Sequence, residues 1–271
     1  MIIDNCLCKP SSSFENFIEY KNETVFKSFN GVIIGKCTNC GLLKTFVKKN
    51  IMIKPSDDVF YEENRRYFEG LFKPIVDKIL QFKKGNKVLD VGCSSGIILG
   101  LLKEHGVDVY GIEPDKQAFK KALKKLKGKI FNGILKEFVK KNKIKFDVVI
   151  YNHVLEHIKT VNEELKLAKS ILNKNGLLVI GVHNVDNIIF YLRKKYWESL
   201  MPGEHVWHFS KKYLVNLLKK HGLMIMDISF SDDKRKDYSL LKKIYFSCLS
   251  AINHLFKTGE STLIIASNIT I

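Results

Sequence analysis

The sequence predicts an α/β fold built on a mostly parallel sheet, preceded by a small β-ribbon, and three observations carry that expectation. From residue 87 onward, short apolar runs alternate with amphipathic stretches of helical period, the pattern of a parallel sheet covered by helices. The first of these runs ends in a glycine-bearing loop, where such sheets hold nucleotides. The first fifty residues break the pattern and carry four of the six cysteines, at 6, 8, 37 and 40. The chain accordingly divides into a cysteine-containing ribbon over 1–50 and an α/β domain over 51–271.

Strands are expected at 87–91, 107–112, 129–132, 146–151, 177–182, 223–230 and 261–268. Helices fall near 95–105, 115–127, 134–142, 160–172, 210–221 and 238–257. Gly106 and Gly222 stand just past helix ends, where a left-handed residue terminates the spiral. Ser210 is placed to cap the N-terminus of its helix. Residues 56–82 hold one more amphipathic helix, expected to lie across the mouth of the nucleotide site. In the ribbon, "VFKSFNGVIIGKC" reads as a hairpin turning at Asn30-Gly31.

The loop "VLDVGCSSG" (88–96) separates the candidate nucleotides. A dinucleotide fingerprint needs glycine at 94 and 97, where Ser94 and Ile97 stand, and no Gly-Lys-Ser/Thr follows for a phosphate loop. What remains is Asp90 at the strand end, Gly92 and Gly96, then Glu113 closing the second strand. A carboxylate at position 90 disfavours a phosphate and suits a cation, while Glu113 is placed to accept from ribose hydroxyls. A cofactor with a ribose, no phosphate and a positive charge meets these demands, as S-adenosylmethionine (SAM) does.

These residues also carry a family resemblance. "VLDVGCSSG" and "GIEPD" resemble the first two motifs of class I SAM-dependent methyltransferases. "FDVVIYNHVLEHI" (146–158) is similar to their strand-four motif, and "NKNGLLVIGVHN" (173–184) to the turn and strand five. "PGEHVWHFSKKYLVNLLKKHGL" (202–223) resembles a segment of the small-molecule members. The resemblance implies a Rossmann-like, doubly wound seven-stranded sheet of order 3-2-1-4-5-7-6 with the last strand antiparallel. It also implies a cofactor site lined by Asp90, Gly92, Cys93, Ser94, Gly96, Glu113, Pro114, Gly133 and Asn152. Ser94 departs from the glycine common in the family, and its small side chain should keep the turn.

Composition bears on partners. The 45 lysines and arginines against 28 acids give a net charge of +17, which invites a nucleic-acid reading. Only four are arginines (65, 66, 193 and 235), whereas nucleic-acid readers favour arginine, and the lysines are scattered over helix surfaces. No apolar run reaches the roughly eighteen residues of a membrane span, and "MIIDNCLCK" lacks the features of a signal peptide, so a cytoplasmic enzyme with reduced cysteines is expected. The basic, amphipathic stretch 238–257 reads as cover for the sheet edge, with peripheral membrane contact as the alternative.

"CTNCG" (37–41) is half of a zinc knuckle, and the hairpin would bring it beside Cys6 and Cys8. A structural zinc on Cys6, Cys8, Cys37 and Cys40 is expected, although Cys-x-Cys is a rare ligand spacing and buried thiols in a ribbon are the competing reading. Some methyltransferases of this type carry such a ribbon. Cys93 and Cys248 read as packing residues.

Groups acting on an acceptor should lie at the C-terminal ends of the strands. After strand four come Asn152, His153, Glu156 and His157, with 153, 156 and 157 expected on one face at a helix start. After strand five come His183, Asn184, Tyr191, Tyr196 and Trp197, then His205 in an aromatic loop. His205, His157 and His153 are the candidate bases, Trp197 and Trp207 the candidate pocket walls, and His208 a structural residue. The expected reaction is methyl transfer from SAM to a small acceptor such as a sugar, a lipid-linked molecule or a quinone. A nucleic-acid methyltransferase and a non-catalytic SAM-binding module stay open, and the oligomeric state is not legible.

Overall fold

The computed structural model describes residues 1–21, 29–47, 64–82, 85–127, 129–232 and 239–269. The strands are β1 (Ile2–Asp4), β2 (Ser12–Glu19), β3 (Val32–Cys37), β4 (Leu43–Val47), β5 (Lys87–Val91), β6 (Asp108–Glu113), β7 (Ile130–Asn132), β8 (Phe146–Asn152), β9 (Leu172–His183), β10 (Trp207–His208), β11 (Met224–Ser231) and β12 (Ser261–Ser267). The α-helices are α1 (Arg65–Phe82), α2 (Ile97–Glu104), α3 (Lys116–Leu126), α4 (Leu135–Lys141), α5 (Val161–Ser170), α6 (Ile188–Arg193), α7 (Lys211–Lys220) and α8 (Leu240–Leu255).

Seven strands form the main sheet in the order β7-β6-β5-β8-β9-β12-β11, the expected 3-2-1-4-5-7-6 arrangement. β5 to β9 pair in parallel, and β12 runs antiparallel to both of its neighbours. Alternation along the strands sorts their side chains to two faces. Leu89, Val149, Tyr151, Leu178 and Ile180 meet α4, α5 and α7, whereas Val88, Val148, Ile150, Leu177 and Val179 meet α1, α2 and α3. Both faces are buried, as in a doubly wound sheet.

Local signals set the boundaries. Gly106 and Gly222 take left-handed φ values of 72° and 69° past the ends of α2 and α7. Asp115 caps α3 through the amides of Gln117 and Ala118, and Ser210 caps α7 through that of Tyr213. β9 begins earlier than the expected 177, because Leu172 pairs with Phe146 before residues 173–176 bulge out and Leu177 rejoins the ladder at Val148. Of the helix expected within 56–82, the described part is α1, and 56–63 lie outside the described residues. Arg65 at its start lines a cleft of about 570 Å³ with Gly96, Gly100 and Leu126.

A second sheet has the order β1-β2-β3-β4-β10, so its last strand comes from the far half of the chain. The expected two-residue turn at Asn30-Gly31 is not formed. β3 pairs with β2, Gly31 N–H donates to Tyr20 O (2.8 Å), and the connection therefore runs from Tyr20 to Gly31. The stretch expected to pair across that turn falls mostly on 22–28, outside the described residues. Ile18, Tyr20, Val32, Ile34 and Leu43 of this sheet pack with Ile189, Phe190, Trp197, Leu200 and Leu249 in a third core. The Tyr20 hydroxyl donates to Lys195 O (3.0 Å).

At the β4–β10 seam, Thr45 Oγ1 lies 2.8 Å from His208 Nε2. Thr45→Val leaves that buried ring nitrogen without its partner and should cost about 1–3 kcal/mol by urea denaturation, whereas Thr45→Ser should stay within about 1 kcal/mol of the parent.

Candidate active site and cysteine centre

β5, β6 and β8 end side by side and bring the cofactor candidates together. Asp90 is buried in β5, and burial together with the nearby Glu113 charge holds its carboxyl well above the usual range. The following loop needs three left-handed residues within five: Gly92 (φ 72°), Ser94 (46°) and Gly96 (77°). A Cβ on Gly92 would stand 2.6 Å from Val154, so this position requires glycine. Ser94 does adopt the turn, and its amide donates to Glu113 Oε2 (2.8 Å). Glu113 Oε1 accepts from the Asp115 amide (2.8 Å), so Glu113 organises both loops. The Cys93 thiol packs where a side chain on Gly111 would stand, a packing role as the sequence suggests.

Pro114 is exposed, and its carbonyl and that of Glu113 accept from the Asn132 side chain (3.2 and 2.8 Å). Gly133 follows at φ 152°, its amide donating to Glu113 O. Asn152 ends β8 with Oδ1 buried and without a partner among the described residues. A buried acceptor left unpaired is costly unless a ligand supplies the donor.

Across the sheet end, the chain after β8 does not start a helix. His153 takes φ 54°, its amide bonds to Gly181 O (2.8 Å), and residues 155–157 form one 3₁₀ turn before α5 begins at Val161. The expected shared helical face of 153, 156 and 157 is thereby corrected: the turn sends Glu156 inward, 1% exposed, and leaves His157 exposed. Glu156 Oε1 accepts from the His183 amide (2.9 Å) and lies 3.6 Å from His153 Nδ1. Burial alone would raise this carboxyl, but His153 and then His205 and His183 hold it down to about 2.

Four imidazoles ring this carboxylate. Ring centres lie 4.3 Å apart for His153–His183, 5.5 Å for His183–His205 and 4.8 Å for His157–His205. Burial keeps His205 neutral, lowered to about 4, and drives His183 well below the usual imidazole value. His157 Nδ1 lies 3.1 Å from Glu204 O; a carbonyl can only accept, so the neutral ring carries its proton on Nδ1 and leaves Nε2 as a proton acceptor. Trp197 stands edge-on to His183 (6.1 Å), and its Nε1 donates to Glu260 (2.7 Å). Trp207 is placed elsewhere: it faces the ribbon under Lys44 and donates to Ile158 O (3.1 Å), because neighbouring strand residues point to opposite sides. His208, pushed down to about 3 by burial, is a packed residue bonded to Thr45.

The structure places His153, His157 and His205 in one cluster with Glu156 and His183, which the sequence put at the same strand ends without giving them a role, whereas Asn132 was not singled out. The Glu-His pair at 156–157 was the available signal for Glu156.

In the ribbon, Sγ of Cys6, Cys8, Cys37 and Cys40 all lie within 4.8 Å of one another, with Cys6–Cys40 at 3.6 Å and Cys8–Cys37 at 3.8 Å. Four thiolates on a tetrahedral zinc at ~2.3 Å stand about 3.8 Å apart, so the cluster has the size of such a site. The knuckle closes through Gly41 (φ 75°), whose amide donates to Cys37 O. The hydrogen bond between Cys6 and Cys40 lowers the Cys40 thiol to about 5 and raises that of Cys6, and a metal would need both as thiolates.

A family model described as a methyltransferase domain matches residues 61–228, more than half of the chain, and the chain belongs to that family. It is similar to the ubiquinone biosynthesis O-methyltransferase of Pelagibacter ubique, 29% identical over 151 residues covering 52% of this chain and 63% of that protein. The mitochondrial ubiquinone biosynthesis O-methyltransferase of Homo sapiens is 28% identical over 160 residues, covering 53% and 43%. The chain thus spans less than two thirds of either relative's length. A SAM-dependent methyltransferase from Archaeoglobus fulgidus shares the fold at a TM-score of 0.58 and 20% identity, covering 78% of this chain and 98% of that one. The SAH-bound magnesium protoporphyrin IX methyltransferase of Synechocystis PCC 6803 does so at 0.54 and 16%, covering 79% and 89%.

The buried imidazoles make stability depend on pH. A folded pKa depressed below ~6.5 means that the unfolded chain binds the proton first, so the contribution is whole above that pH and is lost as pH falls toward the folded value. Urea midpoints should therefore decline between pH 7 and 4, with His205 and His208 each contributing on the order of 1–3 kcal/mol. His208→Gln should flatten the decline.

Proposed function

We propose that the protein is a SAM-dependent methyltransferase acting on a small, quinone-like phenolic acceptor. The observation that carries this reading is the imidazole cluster around Glu156, set at the strand ends beside the unpaired Asn152 Oδ1. The family membership and the ubiquinone-pathway relatives support the same chemistry. Glu113 would take the ribose hydroxyls, the 92–96 backbone the amino-acid moiety, Asn132 and Gly133 the edge of the base, and Asn152 a donor of the cofactor. When bound, SAM supplies an electrophilic sulfonium methyl. The protein then needs to orient a hydroxyl and remove its proton. Nε2 of His157, or the buried neutral His205 behind it, accepts that proton, and Glu156 steadies the resulting positive charge. Trp197 forms the apolar wall beside His183. The four ribbon cysteines would hold a structural zinc that takes no part in transfer.

Isothermal titration should show SAM binding that Glu113→Ala weakens about tenfold or more, since ribose hydroxyls lose their acceptor. With labelled SAM and a prenylated catechol, replacing the responsible histidine (His157 or His205) with Gln should lower kcat by roughly 10² while SAM affinity holds. Turnover within a few-fold of the parent in both variants, or loss of SAM binding in either, would remove the assigned base. Elemental analysis should find one zinc per chain, lost in Cys37→Ser/Cys40→Ser together with ribbon stability.

A further inference from the structure

α8 is apolar on two opposite faces. Phe246, Leu249, Ser250 and Asn253 recur at helical spacing and form the inner face; Leu249 and Asn253 are buried and the other two half-buried. Asp232 clamps this face by accepting from Ser250 Oγ (2.6 Å) and Asn253 Nδ2 (3.0 Å). Asn253 Oδ1 in turn accepts from the Ile188 amide of α6 (2.9 Å).

The outer face should be polar on a surface helix. Instead Leu240, Leu241, Ile244, Tyr245, Leu255 and Phe256 recur there at the same period. Exposures of 74%, 79%, 53% and 78% for Leu240, Leu241, Ile244 and Leu255 show that, among the described residues, nothing covers them. The patch continues onto α6, where Tyr191 is 66% and Leu192 52% exposed. Tyr191 and Phe256 line one cleft of about 340 Å³ between the two helices. Such a contiguous apolar surface on a soluble fold marks a contact surface.

Charge selects the occupant. Lys243 on α8 and Lys257 just past its end are exposed, and Lys194 stands 4.6 Å over the Tyr191 ring. A second copy would bring the same lysines of a chain of net charge +17 against this patch. An anionic bilayer complements both features: apolar side chains and tyrosines reach the acyl boundary while lysines meet the headgroups.

We propose that the outer face of α8, with the adjoining tip of α6, docks the protein onto an anionic phospholipid surface. α6 leads directly to Trp197 at the imidazole cluster, so docking places the acceptor site next to the source of a lipid-soluble substrate. That consequence rests on the proposed acceptor, whereas the docking itself does not.

The test is co-sedimentation of the full chain with vesicles of phosphatidylcholine alone or mixed with phosphatidylglycerol. Binding to the mixed vesicles is expected, weakened by salt. It should fall about tenfold or more in Leu241→Glu/Ile244→Glu, whose exposed sites leave the fold and SAM affinity unchanged, and less steeply in Lys243→Glu/Lys257→Glu. Equal binding of parent and apolar variant, or no binding to either vesicle, overturns the proposal. So does a parent dimer in sedimentation velocity that ignores vesicles and becomes monomeric in Leu241→Glu/Ile244→Glu, because the face is then an interface between copies. Transfer to a soluble catechol distinguishes failure of docking from failure of the enzymatic reading.

Discussion

The acceptor side of this molecule depends on one buried carboxylate. Glu156 fixes the end of β9 through the His183 amide, faces His153, and offers its own main-chain carbonyl to the Val206 amide (2.8 Å). It therefore ties together the turn after β8, the end of β9 and the segment carrying His205. A lone carboxylate at this depth would be costly, and the surrounding imidazoles are what make it tolerable. The dependence is mutual, since the same negative charge opposes the burial that keeps His205 and His183 neutral. Charge and packing are set here by one arrangement.

Val206 extends that arrangement to the ribbon. Its amide bonds to Glu156 and its carbonyl accepts from the Thr45 amide (2.9 Å), so one residue joins the imidazole cluster to β4. The cysteine centre is anchored from the other side: the Asn162 side chain donates to Leu7 O (3.0 Å), and Cys6, Leu7 and Cys37 share a core with Trp207 and Leu214. A metal there would stiffen the platform under His208.

The strands of the main sheet were legible because burial on both faces enforces short continuous apolar runs, separated here by stretches of helical period, whereas their order was an expectation of the family resemblance. Asp90, Gly92, Gly96 and Glu113 were legible for a related reason, since a turn needing left-handed residues leaves glycines in the sequence. The misreadings occur where long-range contacts decide. Asn30-Gly31 is a strong local turn signal, yet β3 takes β2 as its partner, and Phe14 and Ile18 bury where that pairing directs them. Nothing local announces that His153 turns left-handed, and that single torsion sends Glu156 inward instead of onto a helix surface. Asn132 escaped notice because its role is to hold two carbonyls of the neighbouring strand's loop, which only the β6–β7 pairing brings within reach.

The pairing of β4 with β10 also has a consequence in time. Trp207 and His208 leave the ribosome roughly 160 residues after β4, an interval on the order of 10–30 s at ~5–20 residues per second. Through that interval the earlier-made ribbon waits with one strand edge open, and contacts so distant in sequence close slowly. The four thiols, by contrast, are all present once Cys40 has emerged. Early metal capture would hold the nascent ribbon's N-terminal end together until the remainder of the chain arrives to complete its sheet.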